Sequence, residues 1–98
     1  MDEGKIKLLS SELLVAAEIY KNTVIDEKPI YFTELVNLLS KEPKKISRGT
    51  ISRALERLND LHIIKTDWIK IKDQWVRSIY ISGESEDFVK EIYEQFLK

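Results

Sequence analysis

The stretch from Ile46 to Ser82 constrains the fold most, because its apolar spacing switches abruptly from a helical to an alternating period. Ile51, Ala54, Leu55, Leu58 and Leu61 recur three or four residues apart and line one face of a helix. Arg48, Gly49, Ser52, Arg53, Glu56 and Arg57 occupy the remainder of it. The start of this helix is marked locally: Ser47 holds the N-cap position, and Ile46 before it can pack on Ile51 at the fourth helical position, a hydrophobic staple. Directly after Leu61, residues 63–72 and 75–82 are rich in Ile, Val, Trp and Tyr and are separated by Asp73-Gln74, so they read as a β-hairpin. On one hairpin face Ile64, Thr66, Trp68, Ile79 and Ile81 form a base expected to pack on the Ser47 helix, and Lys70, Lys72, Trp75 and Arg77 continue that face toward a basic tip. The other face carries Ile69, Ile71, Val76 and Tyr80 and needs a cover.

The flanking segments supply helices to bury this unit. From Leu8 to Lys21 the apolar residues fall at helical spacing, with Ser10 or Ser11 as a cap, or a start nearer Lys5, and Asn22 at the end. Pro29-Ile30-Tyr31-Phe32 reads as a short extended segment. Thr33 is then expected to cap a second helix, with Glu34 favouring its positive start, Leu35, Val36, Leu38 and Leu39 forming its stripe, and Pro43 ending it. Gly83 breaks the last strand, Ser85 is placed as a cap, and Phe88, Val89, Ile92, Tyr93, Phe96 and Leu97 mark a closing amphipathic helix.

Length and composition bound what such a chain can do. Its 98 residues make one domain, 1–98, and a domain of that size buries only about 60 to 65% of its unfolded surface, which favours a partner chain. The chain has no Cys and a single His, His62, so disulfides, thiolate chemistry and His-rich zinc sites are excluded, and neither a metal nor a cofactor is expected. No apolar run is long enough for a membrane helix, and the start Met1-Asp2-Glu3-Gly4 does not resemble a secretory leader, which implies a cytoplasmic protein. The abundance of Ile, Lys and Glu points to an archaeal or thermophilic prokaryotic source. No nucleophile and base pair, phosphate loop or paired carboxylate stands out, so the chain is not expected to be an enzyme.

The net charge of −1 hides an asymmetry. Residues 1–40 and 84–98 each sum to −3, whereas residues 41–64 sum to +3 and residues 65–77 to +2. A basic middle attracts polyanions whatever the total.

The order helix, short strand, helix, turn, helix, hairpin, helix is mainly α with a small antiparallel β-hairpin, an α+β class. Together with Ile46-Ser47-Arg48-Gly49-Thr50-Ile51-Ser52-Arg53-Ala54-Leu55-Glu56-Arg57-Leu58, it resembles the winged helix-turn-helix domain of small MarR-like prokaryotic and archaeal regulators. The resemblance covers residues 8–82 and implies a three-helix core plus a wing, with residues 84–98 as an added helix. Where such regulators have a glycine before the first wing strand this chain has His62, which shifts the expected left-handed residue to Asn59 or Asp60.

The resemblance implies sequence-specific binding of double-stranded DNA in transcription regulation. Ser47, Arg48, Gly49, Thr50, Ser52 and Arg53 would read bases in the major groove, since hydroxyls and guanidinium forks match base edges and a glycine lets the backbone approach. Lys44, Lys45, Arg57, Lys70, Lys72 and Arg77 would hold phosphates, and Trp75 would shape the wing or cover an arginine. His62, Tyr20, Tyr31 and Phe32 are read as core or solvated surface. A homodimer is expected through the first and last helices, with Leu9, Leu13, Phe88, Ile92, Tyr93 and Phe96 at the seam. The competing readings are a winged helix used for protein–protein contact in a larger assembly and an architectural DNA binder without sequence choice. The operator, any small-molecule effector and the direction of regulation are not encoded legibly.

Overall fold

The structure is a computed structural model that describes residues 7–97; the possible helix start at Lys5 and the terminal Lys98 lie outside the described residues. Helix α1 (Ser10–Tyr20) runs on through a wider π turn (Lys21–Ile25) and is followed by strand β1 (Ile30–Tyr31) and helix α2 (Phe32–Ser40). Helix α3 (Arg48–Asp60), strands β2 (Ile64–Ile71) and β3 (Gln74–Ile81), a 3₁₀ turn (Gly83–Ser85) and helix α4 (Glu86–Phe96) complete the chain. The sheet is antiparallel with order β1-β3-β2, so the expected hairpin gains a third strand, and Ile30 and Tyr31 pair with Ile79 and Ser78.

Helix α1 is the centre of the fold. Val15, Ala16, Ala17 and Ile19 are fully buried, and even Glu12 and Glu18 are enclosed. A helix covered on most sides is a core helix rather than a one-sided surface helix. Neither Ser10 nor Ser11 caps it: Leu9 is the N-cap and has no side-chain acceptor, and Glu12 Oε1 instead accepts the Leu9 N–H at 2.8 Å. The same device starts α2 two residues earlier than expected. Tyr31, not Thr33, is its N-cap, and Glu34 accepts the Tyr31 N–H at 3.3 Å. Around α1 gather Leu35 and Leu39 of α2, Ile51, Leu55 and Leu58 of α3, Ile64 and Ile79 of the sheet, and Val89 of α4.

Two chain reversals differ from expectation in an informative way. The left-handed residue after α3 is His62 itself (φ 62°), while Asn59 and Asp60 stay helical. Its carbonyl is held by Ser82 Oγ at 2.7 Å and by Ser85 Oγ at 3.3 Å, so Ser85 does not cap α4 with its side chain. The hairpin loop is Lys72-Asp73, one residue before the expected Asp73-Gln74, and both residues have positive φ (48° and 66°). A two-residue turn with both centres left-handed matches the twist of the strands it joins. Moving the loop leaves side-chain parity intact, so the face assignments of the strand residues stand, while Lys72 leaves the strand face for the turn.

Candidate nucleic-acid interface

The start of α3 is built from its own sequence. Ser47 Oγ accepts the Thr50 N–H at 3.2 Å and donates to Thr50 Oγ1 at 2.9 Å. Ile46 and Ile51 are both buried beneath it, which is the staple. Arg53 Nη2 donates to the same Thr50 Oγ1 at 3.3 Å, so Ser47, Thr50 and Arg53 form a short polar chain along the exposed face. Arg48, Gly49, Ser52 and Arg53 are exposed there. A Cβ added to Gly49 would meet only Arg53 Nη1 at 3.5 Å, an ordinary contact, so nothing inside the protein requires a glycine at this position.

A groove of about 670 Å³ runs from this helix start to the wing, lined by Phe32, Arg48, Ser52, Trp68, Trp75 and Arg77 among others. Phe32 organises it. The guanidinium carbon of Arg48 lies 5.2 Å from the Phe32 ring centroid and that of Arg77 lies 5.5 Å from it, so one ring orders two cations contributed by α3 and β3. The β1–β3 register, which pairs Tyr31 with Ser78, places Phe32 beside Arg77 in the next position. The Arg77 Nε is enclosed and has no hydrogen-bond partner among the described residues. Phe32 packs against the core, as the sequence implies, and its second role beside the two guanidiniums has no sequence signal, because Arg77 reaches it only when β1 closes on β3.

The wing that forms one wall of the groove is largely bare. Packing of the hairpin base ends at Thr66, so Trp68, expected to lie against α3, stands 64% exposed, as does Trp75. Trp68 faces Arg77 across the strands and Lys70 faces Trp75, with Lys70 Nζ 6.0 Å from the Trp75 ring centroid. Lys72 occupies the exposed turn. On the reverse face Ile69, Ile71 and Tyr80 are exposed, and Tyr80 donates its hydroxyl to Asp67 Oδ2 at 3.0 Å.

Other cations expected at the interface are turned inward or paired. Arg57 donates to Glu12 Oε1 at 3.0 Å and to the Lys7 carbonyl at 3.1 Å, fastening α3 to the start of α1. Lys44 Nζ lies 3.2 Å from Glu18 Oε1, and Asn22 Nδ2 bonds the other oxygen of that carboxylate at 3.0 Å. Lys45 pairs with the exposed Glu42 at 2.6 Å and remains at the surface. The structure therefore brings Arg48, Ser52 and Arg77 together, keeps Gly49, Arg53, Lys70 and Lys72 exposed, and directs Lys44 and Arg57 to α1.

The residues expected at a dimer seam also divide. Ile92 is buried in the chain's own core, Tyr93 stacks on Tyr20 with centroids 5.3 Å apart, and Leu13 is half-buried. Leu9, Phe88 and Phe96 are exposed. Among the described residues no group of three or more His, Cys, Asp or Glu side chains is placed to hold a metal, and no helix is long and apolar enough to cross a membrane.

No protein-family model matches the sequence, and no curated protein matches it. Solved structures do resemble it. A ZitR variant of Lactococcus lactis superposes with a TM-score of 0.67 at 19% identity, covering 99% of this chain and 60% of that one. The F-93 protein of SSV1 gives 0.68 at 17% identity over 92% of this chain and 89% of its own. A PadR-like transcriptional regulator of Bacillus cereus gives 0.67 at 17% identity over 87% and 79%. The chain thus spans about 60% of the length of ZitR and most of F-93. At these identities the likeness defines the fold, a winged helix-turn-helix of four helices and a three-stranded antiparallel sheet.

Proposed function

We propose that this protein is a DNA-binding transcriptional regulator that reads a near-palindromic duplex site as a homodimer. The observation that carries this reading is the cationic surface on which the first turns of α3 and the wing meet, with Arg48 and Arg77 ordered by one ring. The fold shared with a PadR-like transcriptional regulator supports it. In this reading the Ser47–Arg53 turns enter the major groove, Arg53 and Arg48 address base edges, and Lys45, Lys70, Lys72 and Arg77 hold phosphates. Lys44 and Arg57 drop out of the contact set, because Glu18 and Glu12 already engage them. Pairing through α1 and α4, with Leu9, Phe88 and Phe96 at the seam, would set two reading helices about 34 to 36 Å apart, one turn of DNA. In this reading the chain is a binding protein rather than an enzyme and acts on double-stranded DNA, as the fold shared with a PadR-like transcriptional regulator supports.

Selection from random duplexes, followed by fluorescence anisotropy on the selected site, tests this reading. Affinity is expected to fall with salt with a log–log slope of about −5 to −9 for six to ten phosphate contacts. Arg53→Ala should cost about 1 to 3 kcal/mol on the selected site and little on random DNA, whereas Lys45→Ala should weaken both alike. Absence of any duplex binding at low salt would overturn the reading in favour of a protein–protein module, for which the exposed outer wing face of Ile69, Ile71 and Tyr80 would be the contact.

A further inference from the structure

Duplex binding by a wing calls for cations, and it leaves two bare indoles unexplained. Trp68 and Trp75 are the only tryptophans of the chain, and each is 64% exposed on the same face of the wing, the face that lines the groove. Large aromatic rings left in water at this density are a binding feature rather than ordinary surface. The rings are interleaved with cations: Arg77 lies opposite Trp68, and Lys70 opposite Trp75. The groove lining holds two guanidiniums, Arg48 and Arg77, against one carboxylate, Glu34. Aromatic platforms alternating with positive charge are the chemistry that holds unpaired nucleotides, because every base offers a π face and every linkage a phosphate.

Spacing separates this ligand from an intact duplex. With Lys70 paired to Trp75 and Trp68 paired to Arg77, the two indoles are diagonal neighbours, a relation that sets residues about 7 to 8 Å apart. Successive bases in a duplex strand are stacked about 3.4 Å apart and cannot occupy both platforms. Bases drawn apart in a single strand can. We propose that the Trp68–Trp75 face of the wing is a site for single-stranded DNA, in which neighbouring bases stack on the two indoles while Arg77 and Arg48 hold the intervening phosphate. The proposal rests on the DNA-binding reading for the source of the strand: a duplex held by α3 and opened locally would deliver its unpaired bases to the adjacent groove.

Because both tryptophans of the sequence lie on this face, tryptophan fluorescence excited selectively over the tyrosines reports on the wing. Titrating the full chain with a short oligo(dT) should quench that fluorescence, and affinity should fall steeply with salt. Trp68→Ala and Trp75→Ala should each lower oligo(dT) affinity about 5- to 150-fold, the range for one lost base stack, while Trp75→Phe should retain most of it. Both positions are exposed, and unchanged far-ultraviolet circular dichroism would verify that the variants fold. Absence of quenching by oligo(dT), equal oligo(dT) binding, followed by anisotropy, in the double alanine variant, or tighter binding of oligo(U) than of oligo(dT) would overturn the proposal. Duplex affinity measured in parallel separates the two readings: oligo(dT) failing while the selected duplex still binds removes only the single-strand site, and loss of both removes the regulator as well.

Discussion

Two residues show how a position is set by what surrounds it. Glu12 is 97% enclosed, yet its carboxylate is satisfied twice, by the Leu9 N–H that begins α1 and by the Arg57 guanidinium from α3. Removing it leaves a helix end without an acceptor and a guanidinium without its partner, so Glu12→Ala is expected to cost about 2 kcal/mol in a denaturant titration. Arg57→Ala leaves that enclosed carboxylate with the Leu9 N–H alone, so it should cost at least as much, about 2 kcal/mol or more. Its decisive readout is the salt slope of duplex binding: an unchanged slope marks Arg57 as a brace, and a slope shallower by about one unit would return it to the phosphate contacts. Gly49 is the opposite case. Alanine fits the space and suits a helix better, so Gly49→Ala should raise stability by about 0.5 to 1 kcal/mol. In the proposed reading the added methyl stands between the backbone and the major groove, so the same variant should bind the selected duplex at least several-fold more weakly. A gain in both quantities would mean that DNA does not approach this turn.

At the scale of elements, what was legible in the sequence follows the range of the interactions that decide it. The start of α3 was fully readable, because Ser47, Ile46 and Ile51 settle it among themselves. The starts of α1 and α2 were read a residue or more away from their true positions. Both are closed by a glutamate reaching back to a backbone N–H, which competes with the nearby hydroxyl residues that the eye takes for caps. The alternation of the hairpin gave its faces correctly, whereas its loop depended on which two residues accept positive φ, and Lys72-Asp73 has no glycine to announce it. The contacts of Phe32, Arg57 and Lys44 were not legible for one reason: their partners Arg77, Glu12 and Glu18 are remote in sequence and are supplied by tertiary closure. The wing offers a test of its own geometry. Asp67 accepts the Tyr80 hydroxyl across β2 and β3, and this hydrogen bond first, with desolvation and the charge of Asp67 adding to it, raises the phenol above its usual value of 10. A raised value in the folded state means that the contact stabilises the wing fully below pH 10 and is lost as pH climbs through the raised value. In an ultraviolet titration, Tyr80→Phe should therefore remove a phenol ionisation that lies above pH 10.

For the whole molecule the question is what lies against the ends of α1 and α4. Ile92 belongs to the interior, and Ile92→Ala should cost about 2 to 5 kcal/mol whatever the oligomeric state. Phe88 and Phe96 are exposed and contribute little to the monomer. If the chain pairs as proposed, Phe96→Asp combined with Phe88→Asp should halve the mass measured by light scattering while leaving the circular dichroism unchanged. Mass unchanged from the parent would move the seam elsewhere. The buried carboxylates of α1 bear on what such a pair can do. Glu12 grips α3 through Arg57, and Glu18 grips the turn before it through Lys44, so the helix proposed to lie at the seam is also fastened at two points to the helix proposed to read DNA. Slack has been removed between the joint and the tool. If the proposed pair forms, it would work like calipers with stiff arms: a small rotation at the hinge would be delivered undiminished to the jaws, and the gap between them, not the shape of either jaw, would become the quantity that selects the DNA.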